Sequence, residues 1–217
     1  MDKNLKELFQ LYKNKDYLNA EKKCCDLIDK IKPNFEIFNL YAVILYELKK
    51  FDEAIKNWKH AIELNKNYFF GYNNLGNVYL KINQIESAIN NYSKAIKIKS
   101  DYFEAFHNRA NAHLRTKNIK LALKDFDKAL NIKYDYIPSL RCRASIFKSM
   151  NLFDKALSDL EKIIMFNPKD IKAYSDRADI FFELNELALA LENYQKGFEL
   201  EKEPSFIYGN FLLLFSV

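Results

Sequence analysis

The sequence predicts an all-α fold, an α-solenoid of six helix-turn-helix hairpins followed by a C-terminal helix. The first observation behind this prediction is an alanine that recurs every 34 residues, at positions 20, 54, 88, 122, 156 and 190. Periods of this length are typical of hairpin repeats that stack on one another. The second observation is that apolar residues follow helical spacing within each period. A stack of this kind usually provides a binding surface.

Two further positions keep the same 34-residue register. The fourth residue after each alanine is large or apolar: Cys24, Trp58, Tyr92, Phe126, Leu160 and Tyr194. The twelfth residue before it is mostly small: Leu8, Ala42, Gly76, Ala110, Ala144 and Ala178. Small residues let two helix axes approach, and large ones fill the groove between turns. The register therefore predicts tightly packed helices.

Residues 69–102 illustrate how one period forms a hairpin. Apolar residues at helical spacing predict a first helix over residues 70–82, and Asn83 can end it in the left-handed conformation. The same pattern predicts a second helix over residues 86–98. Two helices joined by about three residues form an αα-hairpin.

The motif Tyr72-x-x-Leu75-Gly76-x-x-Tyr79, followed by Ala88, Tyr92 and Ala95, closely resembles the tetratricopeptide (TPR) consensus. The resemblance implies a right-handed superhelix whose first helices line a concave groove. It covers six repeats, at residues 1–34, 35–68, 69–102, 103–136, 137–170 and 171–204, and residues 205–217 are expected to form a further first helix. With only four Gly and four Pro, no linker interrupts the chain, and we expect a single domain over residues 1–217.

Composition narrows the classes of function. The net charge is +5, with a basic middle and an acidic far end. Because the start of the chain lacks an apolar signal segment and no apolar run is long enough to span a membrane, we expect a soluble, cytoplasmic protein. Cys24 is expected to be a buried structural thiol. The histidines and cysteines show no metal-ligand spacing, and no nucleophile motif or phosphate-binding loop occurs, so neither a cofactor nor an enzyme activity is expected.

The second, fifth, sixth and ninth residues of each repeat are the candidates for lining the groove. In repeats 3 and 4 the sixth and ninth positions hold four asparagines, Asn74, Asn77, Asn108 and Asn111, and the fifth positions hold Asn73 and His107. An amide both donates and accepts, so it can bind the N–H and C=O groups of an extended peptide whatever its sequence. This arrangement resembles the asparagine ladder in the TPR arm of O-linked N-acetylglucosamine transferases. The alternative is that asparagine is merely abundant in this chain.

A second resemblance fails on inspection. Chaperone-binding TPR proteins grip an acidic C-terminal peptide through a set of lysines, asparagines and an arginine. The corresponding residues here are Asn73, Asn77, Asn108, Pro138 and Cys142, so all three cations are missing. Arg141 is adjacent in sequence but points about 100° away around the helix. The sequence therefore argues against this clamp.

Arginines also recur every 34 residues, at Arg109, Arg143 and Arg177. Sixteen residues after them lie Asp125, Asp159 and Asn193, and the same two positions of repeat 1 hold Glu7 and Lys23, with the charges reversed. This exchange favours pairs that bridge the two helices of one hairpin over a phosphate-binding stripe.

Together these observations predict a non-catalytic scaffold that binds a protein or an extended peptide, and neither nucleic acid nor a membrane. The alternative is the substrate-selecting arm of an O-linked N-acetylglucosamine transferase-like enzyme. The run from Tyr208 to Leu213 weakly resembles the junction at which bacterial TPR arrays enter such an enzyme domain. A chaperone-tail-binding co-chaperone ranks third. Residues 205–217 are strongly apolar, and because the outer face of a terminal repeat should be polar, they are expected to mediate self-association or, if the chain is a shortened one, to be partly disordered.

Overall fold

A computed structural model describes residues 3–30 and 34–200, which form twelve α-helices and no β-strand. The first helices of the successive hairpins are α1 (Lys3–Lys13), α3 (Phe35–Glu47), α5 (Phe69–Lys81), α7 (Phe103–Arg115), α9 (Ile137–Ser149) and α11 (Ile171–Glu183). The second helices are α2 (Tyr17–Lys30), α4 (Phe51–Leu64), α6 (Ile85–Ile98), α8 (Ile119–Ile132), α10 (Phe153–Phe166) and α12 (Leu187–Leu200).

The helix boundaries follow the 34-residue register. From α3 onwards every first helix begins 34 residues after the preceding one, and all six second helices keep the same spacing. In the repeat 69–102 both helices lie within one residue of the predicted bounds. The prediction of an all-α repeat fold made of TPR-type hairpins is confirmed.

The turn inside each hairpin is also periodic. One residue in every turn has a positive φ between 57° and 63°: Lys15, Lys49, Asn83, Lys117, Asn151 and Asn185. Around Asn83, the N–H of Gln84 donates to the carbonyl of Tyr79 at 2.8 Å, and the N–H of Asn83 donates to Leu80 at 3.2 Å. These two bonds are those of a Schellman motif, which satisfies the last carbonyls of a helix. Asn83 therefore ends its helix in the left-handed conformation, as predicted.

The chain divides into two compact units within α8, Met1–Ala122 and Leu123–Val217. The largest core cluster of the first unit joins α3, α4 and α5 and consists of Ala42, Leu45, Ala54, Ile55, Trp58, Ile62, Leu75 and Val78. That of the second unit joins α8 to α11 and consists of Leu130, Leu140, Ala144, Ala156, Leu160, Ile163, Ala173 and Ile180. In both, side chains from consecutive hairpins share one cluster, so each hairpin buries its apolar face on its neighbour. A single domain over residues 1–217 stays a prediction.

The expected packing of small against large residues is present. All six register alanines are 0% exposed. Gly76 shows the tightest approach, because a Cβ added to it would overlap the ring of Tyr92. Cys24 is also fully buried, and burial raises the pKa of its thiol to about 12, as suits the structural role expected of it.

The periodic arginines join helices. Arg143 binds Asp159 through two hydrogen bonds of 2.8 and 2.7 Å, and Lys23 lies 2.6 Å from Glu7, so these two of the predicted bridges within a hairpin are confirmed. Arg177 likewise donates to Asn193 at 2.6 Å. The pair Arg109–Asp125 falls across the boundary between the two units and stays a prediction.

The same arginines also reach the preceding hairpin, which the sequence did not indicate. Arg143 donates to Asp127 on α8 at 2.6 Å, and Arg109 donates to the hydroxyl of Ser93 on α6 at 2.9 Å. The predicted terminal helix and its self-association fall on residues 205–217, which lie outside the described residues.

Candidate functional site

A cavity of about 430 Å³ lies in the first unit, and most of its lining residues belong to the first helices α3, α5 and α7. Its lining includes all four predicted asparagines, Asn74, Asn77, Asn108 and Asn111, and it is hereafter called the amide cavity. The other lining residues are Val43, Tyr46, Glu47, Trp58, Leu80, Lys81, Tyr92 and Arg115. This volume falls in the range of ligand-binding clefts, and apolar and aromatic walls with a few polar groups are typical of such clefts.

The orientation of Asn74 is fixed by a tryptophan behind it. The indole Nε1 of Trp58 can only donate, and it donates to Oδ1 of Asn39 at 3.0 Å. Nδ2 of Asn74 donates to that same oxygen at 3.3 Å. Because its nitrogen points inward at Asn39, the carbonyl oxygen of Asn74 points away from this bond.

A tyrosine fixes the orientation of Asn77 in a similar way. Tyr92 is fully buried, and burial raises the pKa of its phenol well above the usual value, with a smaller contribution from Tyr46. The hydroxyl therefore keeps its proton and donates to Oδ1 of Asn77 at 2.9 Å. This leaves Nδ2 of Asn77, a donor, on the opposite side of the amide.

Asn73 does not line the amide cavity, which corrects its assignment to the groove. It is only 5% exposed, and its Oδ1 accepts a hydrogen bond from Nδ2 of Asn108 at 3.0 Å. Residues 39 and 73 are both fifth in their repeats, and each accepts from the sixth residue of the next repeat. The fifth position therefore faces the neighbouring hairpin, since it is rotated by about 100° from the sixth.

His107, also at a fifth position, is half-buried and supports Asn111. Its Nε2 lies 3.0 Å from Nδ2 of Asn111, and because an amide nitrogen only donates, Nε2 accepts. Burial lowers the pKa of His107 to about 4, so the ring is neutral near pH 7.

Three amide atoms of the cavity remain available for a ligand. Within the described residues, Oδ1 of Asn74, Oδ1 of Asn108 and Nδ2 of Asn77 form no hydrogen bond. None of them is buried without a partner, so all three reach solvent. The cavity thus offers two acceptors and one donor, on side chains whose opposite ends are held by the protein.

Sequence reasoning missed the thirteenth position of the repeat. Glu47, Lys81 and Arg115 are the last residues of α3, α5 and α7, and all three line the amide cavity. The helical period would have found them, because positions 2, 6, 9 and 13 follow steps of four and three residues along one face.

In the second unit the corresponding positions hold charges on α11, whereas on α9 they hold Cys142 and Ser145. The sixth and ninth residues of α11 are Asp176 and Asp179. Lys172 lies 3.1 Å from Asp176, and Lys148 lies 3.2 Å from Asp179. Arg141 binds Asp170 and has Asp176 at 4.0 Å. This arginine therefore serves contacts between hairpins, in agreement with the rejection of the chaperone-tail clamp.

Across residues 3–30 and 34–200, no cluster of three or more His, Cys, Asp or Glu side chains is arranged to hold a metal ion. None of the helices in the same residues has the length and apolar character needed to cross a bilayer.

Family models match the middle of the chain. A model described as TPR repeat matches residues 43–83 and 77–117, and one described as Tetratricopeptide repeat matches residues 103–136. None of the curated proteins matches the sequence. The matched residues include every residue of α5 and α7 that lines the amide cavity, so this part of the cavity is built of tetratricopeptide repeats.

Solved structures share the fold over most of the chain. PilF of Pseudomonas aeruginosa is 13% identical with a TM-score of 0.80, and the match covers 97% of this chain and 95% of that one. A tetratricopeptide repeat protein of Parabacteroides merdae is 21% identical with a TM-score of 0.74, covering 98% and 86%. YrrB, a TPR protein with an unusual peptide-binding site, is 17% identical with a TM-score of 0.69, covering 89% and 100%. At these identities the likeness establishes the fold alone.

Proposed function

We propose that this protein is a non-catalytic scaffold whose amide cavity binds an extended segment of a partner protein. The observation that carries the proposal is the set of three outward amide atoms on Asn74, Asn77 and Asn108. An extended chain presents N–H and C=O groups along its edge, and two acceptors with one donor complement them. YrrB, which shares this fold, has a peptide-binding site, and this supports the same general use here.

The lining favours binding of the main chain with limited dependence on the peptide sequence. Asparagine amides bind backbone groups, which every peptide has, while the partly exposed Val43, Tyr46 and Leu80 provide apolar surface beside them. Such a site gains affinity by being preformed, because the bonds to Asn39, Tyr92 and Asn73 order the amides before the ligand arrives.

The decisive experiment replaces one cavity amide without disturbing its support. Asn74→Ala is suited to this, because Asn39 keeps its hydrogen bond from Trp58. Asn108→Ala is less suited, because it would leave Oδ1 of the buried Asn73 without its donor, at a cost of about 1–3 kcal/mol. The matched control is Asn90→Ala, an exposed asparagine on α6 outside the amide cavity.

The ligand is obtained by selecting a phage-displayed library of random octapeptides on the full chain and synthesising the selected peptides with both ends blocked. Fluorescence anisotropy then gives their dissociation constants. Loss of one or two hydrogen bonds predicts that Asn74→Ala weakens binding about two- to tenfold, while Asn90→Ala leaves it unchanged. Failure to select any peptide, or equal binding by both variants, would exclude the proposal.

The narrower alternative of an arm that selects substrates for a glycosyltransferase uses the same cavity. Its second sequence feature, the run from Tyr208 to Leu213, lies outside the described residues, so this alternative and a cytoplasmic location stay predictions.

A further inference from the structure

We propose that the peptide bound in the amide cavity places an internal acidic side chain against Lys81 and Arg115. This inference rests on the proposed function and adds to it a chemical preference, which the asparagines alone do not provide. The two cations occupy the thirteenth position of consecutive repeats and end α5 and α7. Both line the same cavity as the four asparagines.

Neither cation is paired with an acidic side chain in the part of the chain that the structure describes. Lys81 and Arg115 are exposed, and no described carboxylate forms an ion pair with either of them. Two positive charges on one wall repel each other, and an anion placed between them relieves that repulsion. The wall therefore complements a carboxylate supplied from outside.

Helix dipoles offer a different reason for cations at these places, since positive side chains are favourable in the last turn of a helix. The dipole alone does not account for the pattern, because the same position holds a further cation only on α1, Lys13, and holds Glu47 on α3, Ser149 on α9 and Glu183 on α11. In the second unit the charged residue at the thirteenth position, Glu183, has an ion-pair partner, because Lys148 lies 3.5 Å from it. Among the described residues, the pair on α5 and α7 has no such partner.

The geometry of an extended peptide brings its side chains to this wall. When the N–H and C=O groups on one edge of a strand face the asparagines, successive side chains point to opposite sides of the backbone. A strand that crosses α5 and α7 therefore directs every second side chain toward the C-terminal ends of these helices. Lys81 and Arg115 lie at those ends.

An internal acidic residue fits better than a terminal carboxylate. A terminal group would have to end the chain over the asparagines, and the cations that grip a peptide terminus in the chaperone-tail clamp are replaced here by Asn73, Pro138 and Cys142. Glu47, on the α3 side of the same cavity, opposes an acid placed near it. The acidic side chain is thus directed to the α5 and α7 side.

The test uses peptides from the octapeptide selection, synthesised with an acetylated N-terminus and an amidated C-terminus. Each peptide is compared with a version in which its acidic residue is replaced by Gln. The protein variants are Lys81→Gln/Arg115→Gln and, as the matched control, Lys59→Gln/Lys66→Gln, which removes the same charge from exposed lysines outside the amide cavity. Glu47→Gln removes a negative charge from the amide cavity, so its expected effect on binding of an acidic peptide has the opposite sign.

We expect the selected peptides to be enriched in Asp or Glu. Replacing that acid by Gln should weaken binding to the wild-type chain about two- to fivefold, as for an exposed ion pair, and the effect should diminish at high salt. This loss of affinity on replacing the peptide's acid by Gln should disappear in Lys81→Gln/Arg115→Gln, persist in Lys59→Gln/Lys66→Gln and increase in Glu47→Gln. A free C-terminal carboxylate should add nothing.

Several outcomes would overturn the inference. Peptides that bind, lose affinity with Asn74→Ala and show no acidic preference would leave the proposed function standing and exclude an acid-selecting wall. An acidic preference that survives Lys81→Gln/Arg115→Gln, or that vanishes equally in the control, would place the recognition elsewhere. If no octapeptide is selected at all, the proposed function and this inference fail together.

Discussion

In the first unit, the sixth and ninth positions of α5 and α7 hold asparagines, and in the second unit the same positions of α11 hold Asp176 and Asp179. Asn74, Asn77 and Asn108 bond to neutral groups behind them, and each keeps one polar atom of its amide available to solvent. The aspartates are neutralised by lysines of the same unit, Lys172 and Lys148. The helices are alike in length and register, and only the side chains differ.

This difference shows that the same positions of a repeat can hold side chains that remain available to a ligand or side chains that are paired within the protein. An amide can satisfy one neighbour with its nitrogen and still offer its oxygen to a ligand. A carboxylate that pairs with a lysine of its own chain has that charge compensated and presents less of it to a partner. The first unit is therefore the part in which we place the binding site, and the following experiments test the contrast.

The largest effect is expected where the second unit buries its charges. Asp159 is 2% exposed and Arg143 16%, and the two form a bidentate pair. Burial lowers the pKa of Arg143, but its hydrogen bonds to Asp159 and Asp127 outweigh this, and the net result is a raised pKa. Arg143→Met leaves the carboxylate of Asp159 buried without its partner, so we expect the free energy of unfolding to fall by about 3–5 kcal/mol in urea titrations.

Arg177→Met is the matched control, because the partner of Arg177 is the neutral Asn193. Losing a donor to a buried amide should cost about 1–3 kcal/mol. If the two substitutions lower the free energy of unfolding equally, the buried charge of Asp159 is not what makes Arg143 important. The proposed difference between charged and neutral hydrogen-bond partners would then be wrong.

The sequence could predict the helices because the environment of each residue repeats every 34 positions. It placed Asn83 in the left-handed turn and Arg143 next to Asp159, since both follow from one hairpin. It misplaced Asn73, because whether a fifth residue faces a groove or the next hairpin depends on how two hairpins are packed. The sequence could not show that Trp58 orients Asn39 and thereby Asn74, because these hydrogen bonds connect residues of two successive repeats.

The second prediction concerns the floor of the amide cavity. Ala178 packs in one cluster with Tyr194 in the second unit, whereas Gly76 approaches Tyr92 so closely that a Cβ would overlap the ring. Alanine is intrinsically a better helix former by about 1 kcal/mol, yet we expect Gly76→Ala to destabilise the protein by about 1–3 kcal/mol. The ring would also move from Asn77, so binding of the selected peptides should weaken.

The control for this change is Ala178→Gly, which should cost about 2 kcal/mol, because it lowers helix propensity by about 1 kcal/mol and removes a buried methyl worth about 0.8 kcal/mol. Thermal unfolding of both variants, followed by circular dichroism, measures the difference. A Gly76→Ala variant that is more stable than the wild type would show that the Tyr92 ring adapts at no cost.

The third prediction uses pH, because all three histidines of the chain lie in the first unit. Burial lowers the pKa of His107 to about 4, against about 6.5 in an unfolded chain. The unfolded state therefore binds more protons between these values, and the stability that neutral His107 provides is lost as the pH falls from about 6.5 to about 4. Protonation also removes the acceptor for Asn111.

We expect the melting temperature of the wild type to fall more between pH 7 and pH 5 than that of His107→Gln. His60→Gln, which changes a half-exposed histidine, serves as the control and should follow the wild type. An identical pH dependence of all three proteins would mean that protonating His107 costs the folded state nothing.

The smallest effect is expected in the turns, where the two units again differ. The left-handed position holds Lys49 in the first unit and Asn151 in the second, with φ of 62° and 57°. Lysine is strained there, while asparagine tolerates this conformation better and glycine best. After allowing for the greater freedom that glycine gives the unfolded chain, Lys49→Gly should stabilise the protein by about 0.5–1 kcal/mol, and Asn151→Gly by less. Denaturant midpoints at constant slope measure both changes, and a gain at Asn151 equal to that at Lys49 would show that backbone strain does not set the difference between these turns.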